Sequence, residues 1–311
     1  MKNSYIIKIS RIALIGMMLV KQAFAAGGYV QDSTTGCKVW DSEINVSQKI
    51  RFLGVCKNGF ADGQGTVEFI ENGRVEVIWY GFFTNGYLQG PANIKDNNSE
   101  TVGIIRNSVL NGEGRIAFTN GTIVEGAFID GKLNGYGKIS YGNGTLIKGW
   151  FKNDKLNGYG LAAYKNGVTN EGDFIDGKLN GYGIQTVTNG GRYEGFFKNS
   201  KYDGIGTLYK PNGEAMPIAM YSDGNFIRTI GSSSSVLNSY SPQQLTPAAR
   251  TSAEQENELD SRIRNTQNQL ERSRSINIIS PNGSVTTGTM WSNKPPGSVG
   301  LGGGTFIQLD K

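Results

Sequence analysis

A period of about 23 residues runs through the middle of the chain and limits the folds that are open to it. The hexapeptide KLNGYG stands at residues 132–137, 155–160 and 178–183, so its three copies are evenly spaced. One glycine of the unit recurs at the same interval, with only the first interval one position shorter, as Gly81, Gly103, Gly126, Gly149, Gly172 and Gly195. Self-similarity at a fixed period of this length predicts a repeat architecture, in which each unit packs on its neighbours.

Three further positions, counted from that glycine, carry similar residues in every unit. Two residues on, the units carry Cys56, Phe83, Ile105, Phe128, Phe151, Phe174 and Phe197. Nine residues on, every unit has glycine; eleven residues on, every unit has glycine except the one with Ala92. A looser first unit begins at Gly54 and a degraded last unit surrounds Tyr221, so about seven to eight units fill residues 51–230.

Turn residues indicate how each unit folds. Asp-Gly pairs at 130–131 and 176–177 predict two-residue hairpin turns, because a type I′ turn needs positive φ at both central residues. Asn-Gly pairs at 143–144, 166–167 and 189–190 mark a second turn, between units. Each unit is therefore predicted to be two short antiparallel strands, and the array a meander.

A two-residue loop at 130–131 also predicts the pairing of the strands beside it. The predicted partners are Ile129 with Lys132, Phe128 with Leu133, Gly126 with Gly135, Glu125 with Tyr136, and Val124 with Gly137. Because side chains alternate between the faces of a sheet, the Phe, Leu and Gly positions share one face. The glycines leave bare backbone on which aromatic rings can lie.

This register predicts two candidate surfaces on the array. The first is a continuous apolar ridge, a candidate binding surface: Phe128, Leu133, Phe151, Leu156, Phe174, Leu179, Phe197 and Tyr202. The second lies on the opposite face: Glu125, Tyr136, Tyr159, Glu171, Tyr182 and Glu194. Since a single sheet that exposes the ridge must curl, be covered by the tail or meet a partner, the ridge favours an interaction protein.

The units resemble the MORN repeat (Membrane Occupation and Recognition Nexus), here of the bacterial exported type. The segments VEGAFIDGKLNGYG at 124–137, NEGDFIDGKLNGYG at 170–183 and YEGFFKNSKYDGIG at 193–206 carry the resemblance, which extends over roughly 51–228. Lys148 departs from it, because the neighbouring units have Glu there. The resemblance implies an elongated, curved antiparallel sheet of consecutive hairpins that acts in scaffolding or binding. It also links the family to membrane lipids and to protein assembly.

The predicted fold is thus an all-β repeat, an elongated curved antiparallel meander of tandem hairpins, followed by a flexible linker, a short helix and a Gly-rich tail. The segments outside the array are assigned by composition: a signal peptide at 1–25, an N-terminal cap at 26–50, a linker at 231–251, a helix at 252–275 and a Gly/Ser/Pro-rich tail at 276–311.

The first residues predict export. A basic start is followed by the apolar run IALIGMMLV and by AFA, which ends at the predicted cleavage site Ala25. Nine apolar residues are fewer than the roughly 20 that a membrane-spanning helix needs, although Lys21 leaves a retained anchor as an alternative. The expected location is the periplasm, the cell surface or the medium. Without the leader the chain has 27 basic and 26 acidic residues, which does not favour nucleic-acid binding.

Cys37 and Cys56 are predicted to form a disulfide. They are the only two cysteines and are near enough in the sequence to close a short loop, and in an oxidising compartment they most simply pair; two free thiols are the alternative. Because Cys56 occupies the slot of the later phenylalanines, this bond would fasten the cap to the array. Two cysteines and no histidine cannot make a usual zinc site, and no cofactor is expected.

The composition does not favour an enzyme. The chain has no histidine, which is the commonest general base and the usual activator of a Ser or Cys nucleophile. Glu125, Glu171 and Glu194 recur at regular intervals, which is typical of one surface position copied by the repeat rather than of paired catalytic carboxylates. We therefore expect no catalytic residues.

Two segments after the array leave alternatives open. Leu259, Ile263 and Leu270 form a narrow apolar stripe on the predicted helix, which either associates with itself as a short coiled coil, or is a solvated helix that rests on the sheet or is only partly formed. The tail composition favours disorder, with the terminal GGTFIQLDK as an alternative strand that could pair with a sheet edge.

The leading functional prediction is an exported scaffold that binds a protein partner through the sheet. Membrane-lipid binding is a weaker alternative, because residues 100–228 hold 14 basic and 12 acidic side chains and attract anionic headgroups little. Recognition of surface or cell-wall glycans by aromatic side chains is another alternative, weakened because Trp150 is the only tryptophan in the regular units.

Overall fold

The structure is a computed structural model that describes most of the chain. The described residues are 27–42, 49–231, 254 and 257–269, with the backbone of four further strands at 275–279, 285–291, 298–300 and 306–309. The predicted signal peptide and all but the first residue of the predicted linker lie outside the described residues.

The repeats form one long open antiparallel sheet, in which each strand from β3 to β18 pairs with the next. Its strands are β3 Lys49–Lys57, β4 Phe60–Glu71, β5 Arg74–Thr84, β6 Tyr87–Asp96, β7 Ser99–Arg106, β8 Val109–Phe118, β9 Ile123–Ile129, β10 Lys132–Ser140, β11 Leu146–Lys152, β12 Lys155–Ala163, β13 Thr169–Ile175, β14 Lys178–Thr186, β15 Arg192–Lys198, β16 Lys201–Tyr209, β17 Ile218–Ser222 and β18 Asn225–Gly231. The predicted all-β meander is confirmed.

The hairpin turns have the predicted chemistry. Asp130 and Gly131 have φ of 50° and 73°, and Asp176 and Gly177 have φ of 50° and 79°. Positive φ at both central residues is the signature of a type I′ turn. Ile129 pairs with Lys132 directly beside this loop, as predicted, and Phe128 pairs with Leu133.

Beyond Leu133 the predicted register is wrong by two residues. A β-bulge follows Leu133, so that Gly126 pairs with Gly137 instead of Gly135, Glu125 with Lys138 instead of Tyr136, and Val124 with Ile139 instead of Gly137. Gly135 has φ of +117°, a conformation that side chains rarely adopt, and it lies within the bulge. A shift of two residues keeps every side chain on its predicted face, because faces alternate with a period of two.

Two different requirements explain the two later glycines of each unit. The glycine nine residues on is the bulge residue, with φ between 71° and 133° in all units: Gly63, Gly90, Gly112, Gly135, Gly158, Gly181 and Gly204. The glycine eleven residues on joins a row of directly paired glycines across the sheet, Gly103–Gly114–Gly126–Gly137–Gly149–Gly160–Gly172–Gly183–Gly195–Gly206. Of these two later glycines, only the bulge glycine is required by its backbone conformation, and Ala92 replaces the other one.

Leucine side chains, rather than aromatic rings, cover this glycine row in the regular units. A Cβ added to Gly126 would lie 2.5 Å from Leu133 Cδ1, and one added to Gly137 would lie 2.9 Å from it. Aromatic rings cover the glycine row only near the ends of the array, where Phe52 lies against Gly54 and Tyr193 against Gly206. The prediction that phenylalanines lie on the bare backbone is therefore wrong for most units, because the shorter leucine fills that space.

A short hairpin precedes the array, within the segment 26–50 assigned above as a cap. Strands β1 Gly28–Gln31 and β2 Lys38–Asp41 form a hairpin, and β2 makes one parallel pairing with β4 between Lys38 and Phe60. Cys37 and Cys56 form the predicted disulfide, with their Cα atoms 5.7 Å apart. The bond joins the cap to β3.

Removing this disulfide is expected to destabilise the protein. Replacing both Cys37 and Cys56 with Ser should lower the free energy of unfolding by about 3 kcal/mol, because the bond closes a short loop, with a sequence separation of 19, in the unfolded chain. Urea unfolding of the mature protein measures the change, and the unaltered protein in a thiol reductant should give the same loss. Equal stability of the oxidised, reduced and Ser-substituted proteins would contradict this prediction.

The segments after the array contain the predicted helix and four short strands of the tail. Helix α1 covers residues 257–269, inside the predicted range 252–275. The tail forms a four-stranded sheet of β19 Ser275–Ile279, β20 Val285–Trp291, β21 Ser298–Gly300 and β22 Phe306–Leu309. The terminal strand β22 pairs with β20 and β21, the pairing that the strand alternative describes.

Candidate partner-binding face

The predicted binding ridge is part of the core. Seven of its side chains are buried in one apolar cluster: Phe128, Leu133, Phe151, Leu156, Phe174, Leu179 and Phe197. Tyr202 is half-buried against the same cluster and stacks on Tyr193 at 3.7 Å between ring centroids. These side chains are buried, so a partner cannot reach them as an exposed surface. The other face of the sheet, called the polar face below, is the candidate site.

Pairs of side chains repeat along the polar face. Tyr136 stands opposite Trp150 in neighbouring strands, and Tyr182 stands opposite Phe196. The first pair packs edge to face with ring centroids 6.0 Å apart, and the second pair does so at 5.7 Å. In the unit between them, Tyr159 stands opposite Asp173. Two similar aromatic pairs are thus separated by one polar pair.

Two of these tyrosines are hydrogen-bonded to glutamates of the repeat. The Tyr159 hydroxyl donates to Glu171 Oε1 at 2.6 Å, and the Tyr182 hydroxyl donates to Glu194 Oε1 at 2.9 Å. Burial and the neighbouring carboxylate raise the pKa of both phenols well above the usual value, so the hydroxyls remain neutral donors. Burial also raises the pKa of the Asp173 carboxyl.

Glu125 has a different environment from the other two glutamates. It lies 3.2 Å from the Arg115 guanidinium and 3.3 Å from Lys138 Nζ. It therefore belongs to an ionic cluster and, because of the bulge, is not beside Tyr136 as predicted.

Helix α1 docks on the polar face at Tyr136. Leu259 and Ile263 are 4% and 5% exposed, Tyr136 is 5% exposed, and the three form a small apolar cluster separate from the main core. Two of the three residues of the predicted stripe are therefore covered within the chain, and Leu270 lies outside the described residues. This arrangement matches the alternative in which the helix rests on the sheet. Because Leu259 and Ile263 are buried against Tyr136, they are not available for a coiled coil with a second helix.

Ion pairs surround that apolar contact. Arg262 donates to Glu113 Oε1 at 2.8 Å, and Asp260 lies 4.0 Å from Lys138 Nζ. The hydrogen bond to Glu113 raises the pKa of Arg262. Arg262 also pairs with Glu258 on its own helix at 2.7 Å. An apolar centre with a charged rim is the usual anatomy of a protein interface.

The helix docks where the repeat departs from its own pattern. Glu113 stands where the next three units have Tyr, Lys138 where the next two units have Leu161 and Ile184, and Lys148 where the next two units have Glu. Only the last of these departures was noted from the sequence, and no role was given to it. Deviations from the repeat, rather than its copied positions, were the signal that could have found this site.

Comparison with known families agrees with the geometry. Four consecutive segments, residues 125–146, 149–169, 171–192 and 193–215, match the sequence model of the MORN repeat. These four segments are MORN repeats. They coincide with hairpins β9–β10 to β15–β16, and the tandem MORN hairpins therefore carry most of the polar face described above. MORN repeats are generally interaction modules rather than enzymes.

Wider comparisons add little. No curated protein matches the chain. Among solved structures it is similar to the TCP domain of SAS-4 (dCPAP) from Drosophila melanogaster, in complex with a proline-rich motif of Ana2 (dSTIL), at 15% identity and a TM-score of 0.33. That similarity covers 55% of this chain and 90% of the other. In the described part of this chain, no helix combines the length and apolar composition of a membrane span.

Proposed function

We propose that this protein is an exported, non-enzymatic scaffold that binds a protein partner through the polar face of its MORN array. The docking of helix α1 carries the proposal, because it is an example of an amphipathic helix bound to this face. Tyr136, Leu259 and Ile263 supply the apolar centre of that contact and Glu113 and Lys138 its charged rim.

The same face continues beyond the helix. The contacts of α1 fall on residues between Glu113 and Trp150, whereas the repeat goes on to Tyr182 and Phe196. Both of these side chains are half-buried, while Tyr136 beneath the helix is buried. Aromatic residues at this level of exposure are typical anchors of protein interfaces.

Export is part of the proposal and is supported by two independent features. The first is the basic, apolar and small-residue order of residues 1–25. The second is the Cys37–Cys56 disulfide, a bond that persists in oxidising compartments. We place the mature protein in the periplasm, on the cell surface or in the medium; cell fractionation distinguishes the three.

A crosslinking experiment with matched variants tests the proposed function. Tagged full-length protein is crosslinked in the cells that produce it, and captured proteins are identified by mass spectrometry. We expect a partner whose recovery falls at least about ten-fold in Phe196→Ala, as for a central aromatic anchor. The control is Phe82→Ala, which removes the same side chain from the equivalent position of an earlier unit, where Phe82 is 53% exposed. Capture of no partner, or equal loss in both variants, would overturn the proposal.

A further inference from the structure

Two places on the polar face are related by an exact shift along the repeat. The helix site is defined by Glu113, Glu125, Ala127, Tyr136, Lys148 and Trp150. The second site is defined by the residues 46 positions later, two repeats on: Tyr159, Glu171, Asp173, Tyr182, Glu194 and Phe196. Their aromatic pairs have nearly the same geometry, with interplanar angles of 84° and 85°. The second site thus repeats the aromatic pair on which the helix site binds α1.

The charges of the two sites differ strongly. At the helix site the cation Lys148 accompanies two carboxylates, and Lys138 and Arg115 lie beside Glu125.

At the second site none of those cations remains. The positions of Lys148, Lys138 and Arg115 are taken by Glu194, Ile184 and Leu161, and that of Ala127 by Asp173. Three carboxylates result, of which Arg192 pairs with one, at 3.3 Å from Glu194. The second site is therefore acidic.

Helix α1 itself is a poor match for this acidic site. Its Asp260 lies near Lys138 at the helix site, and the shift of 46 positions would place it near Ile184, between Glu171 and Glu194. Its Glu258 lines the same cavity as Ala127, which becomes Asp173. Like charges placed together across an interface disfavour binding.

We propose, building on the proposed function, that the second site binds a basic amphipathic helix of the partner protein. Two apolar residues four positions apart would lie on Tyr182 and Phe196, as Leu259 and Ile263 lie on Tyr136. Lysine or arginine in place of the two acidic residues of α1 would face Asp173 and Glu171. The bound α1 is the example for the helical form of the ligand. The negative charge of the second site disfavours α1 itself and favours a basic helix.

Peptide binding to the full-length protein tests this inference. One peptide has the sequence of residues 254–270, and the other is the same peptide with Glu258→Lys and Asp260→Lys. In calorimetry we expect the lysine peptide to bind at least about ten-fold more tightly, to lose at least about ten-fold in Phe196→Ala, and to weaken in high salt. Phe82→Ala should leave its binding unchanged.

The outcomes separate this inference from the proposed function. Equal binding of both peptides, or equal losses in both Phe variants, would overturn the basic-helix inference. If the lysine peptide does not bind while crosslinked capture still depends on Phe196, the inference fails and the scaffold function stands. If Phe196→Ala changes neither the binding of the lysine peptide nor the crosslinked capture, both the inference and the scaffold function fail. Vesicles containing phosphatidylserine should not bind the acidic site, and vesicle binding that Phe196→Ala abolishes would overturn the choice of a helix.

Discussion

Gly149→Ala is expected to lower the free energy of unfolding of the array by about 4 kcal/mol. A Cβ at Gly149 would lie 2.5 Å from both Gly160 Cα and the Tyr159 carbonyl oxygen, and these are backbone atoms of the paired strand. The methyl group cannot be relieved by a rotamer change, so the two strands must separate. Overpacking of about 1–3 kcal/mol adds to a backbone strain of similar size, since φ at Gly149 is +139°.

Gly167→Ala is the matched control for this substitution. Gly167 also has positive φ, +83°, but apart from its own chain neighbours no atom of the described residues lies within 4 Å of an added Cβ. We expect it to cost only about 1 kcal/mol, which is typical of a left-handed conformation for alanine. Urea and thermal unfolding should separate the two variants, with a melting temperature roughly 10 °C lower for Gly149→Ala. Similar losses would show that φ, and not the approach of the strands, requires glycine in the row.

The hairpin turns could be predicted from the sequence, whereas the bulges could not. Asp-Gly specifies a turn type, and it therefore set the loop at 130–131 and the two residue pairs beside it. The position of the bulge could not be predicted from the sequence, because Gly135 and Gly137 are the same residue type although glycine is present at each for a different structural reason. Only Ala92 indicated that one of the two positions tolerates a side chain while the other does not.

The candidate site was only partly predictable, for a different reason. Alternation along the strands assigned side chains to faces correctly, and a two-residue register error did not change the assignment. Periodicity does not tell which face is buried or what lies on the other. The contact between Arg262 and Glu113 joins residues 149 positions apart, and no local pattern records a contact of that range.

Ile263→Asp is expected to release helix α1 from the array and to lower the hydrogen-exchange protection of its amides at least about 100-fold. A buried isoleucine contributes about 1.5–3 kcal/mol, and a carboxylate against Tyr136 would add a desolvation cost. A loss of about 1.4 kcal/mol corresponds to a factor of ten in the docking equilibrium. An isolated helix of this length is marginal in water, so the undocked segment should melt. Exchange measured by mass spectrometry on residues 257–269 therefore reports docking directly.

Asn265→Asp provides the control, because it adds the same charge at an exposed position of the same helix. It should leave the protection of α1 within a few-fold of the unaltered protein. Exchange in strands β9 and β10 should change little in either variant, since the main core does not include the helix contact. If Ile263→Asp leaves the helix protected, α1 is not held by its apolar contact with Tyr136, and the polar face loses its example of a bound helix. If both variants expose it equally, added charge rather than lost packing is the cause, and the ionic rim of Glu113 and Lys138 is what holds the helix.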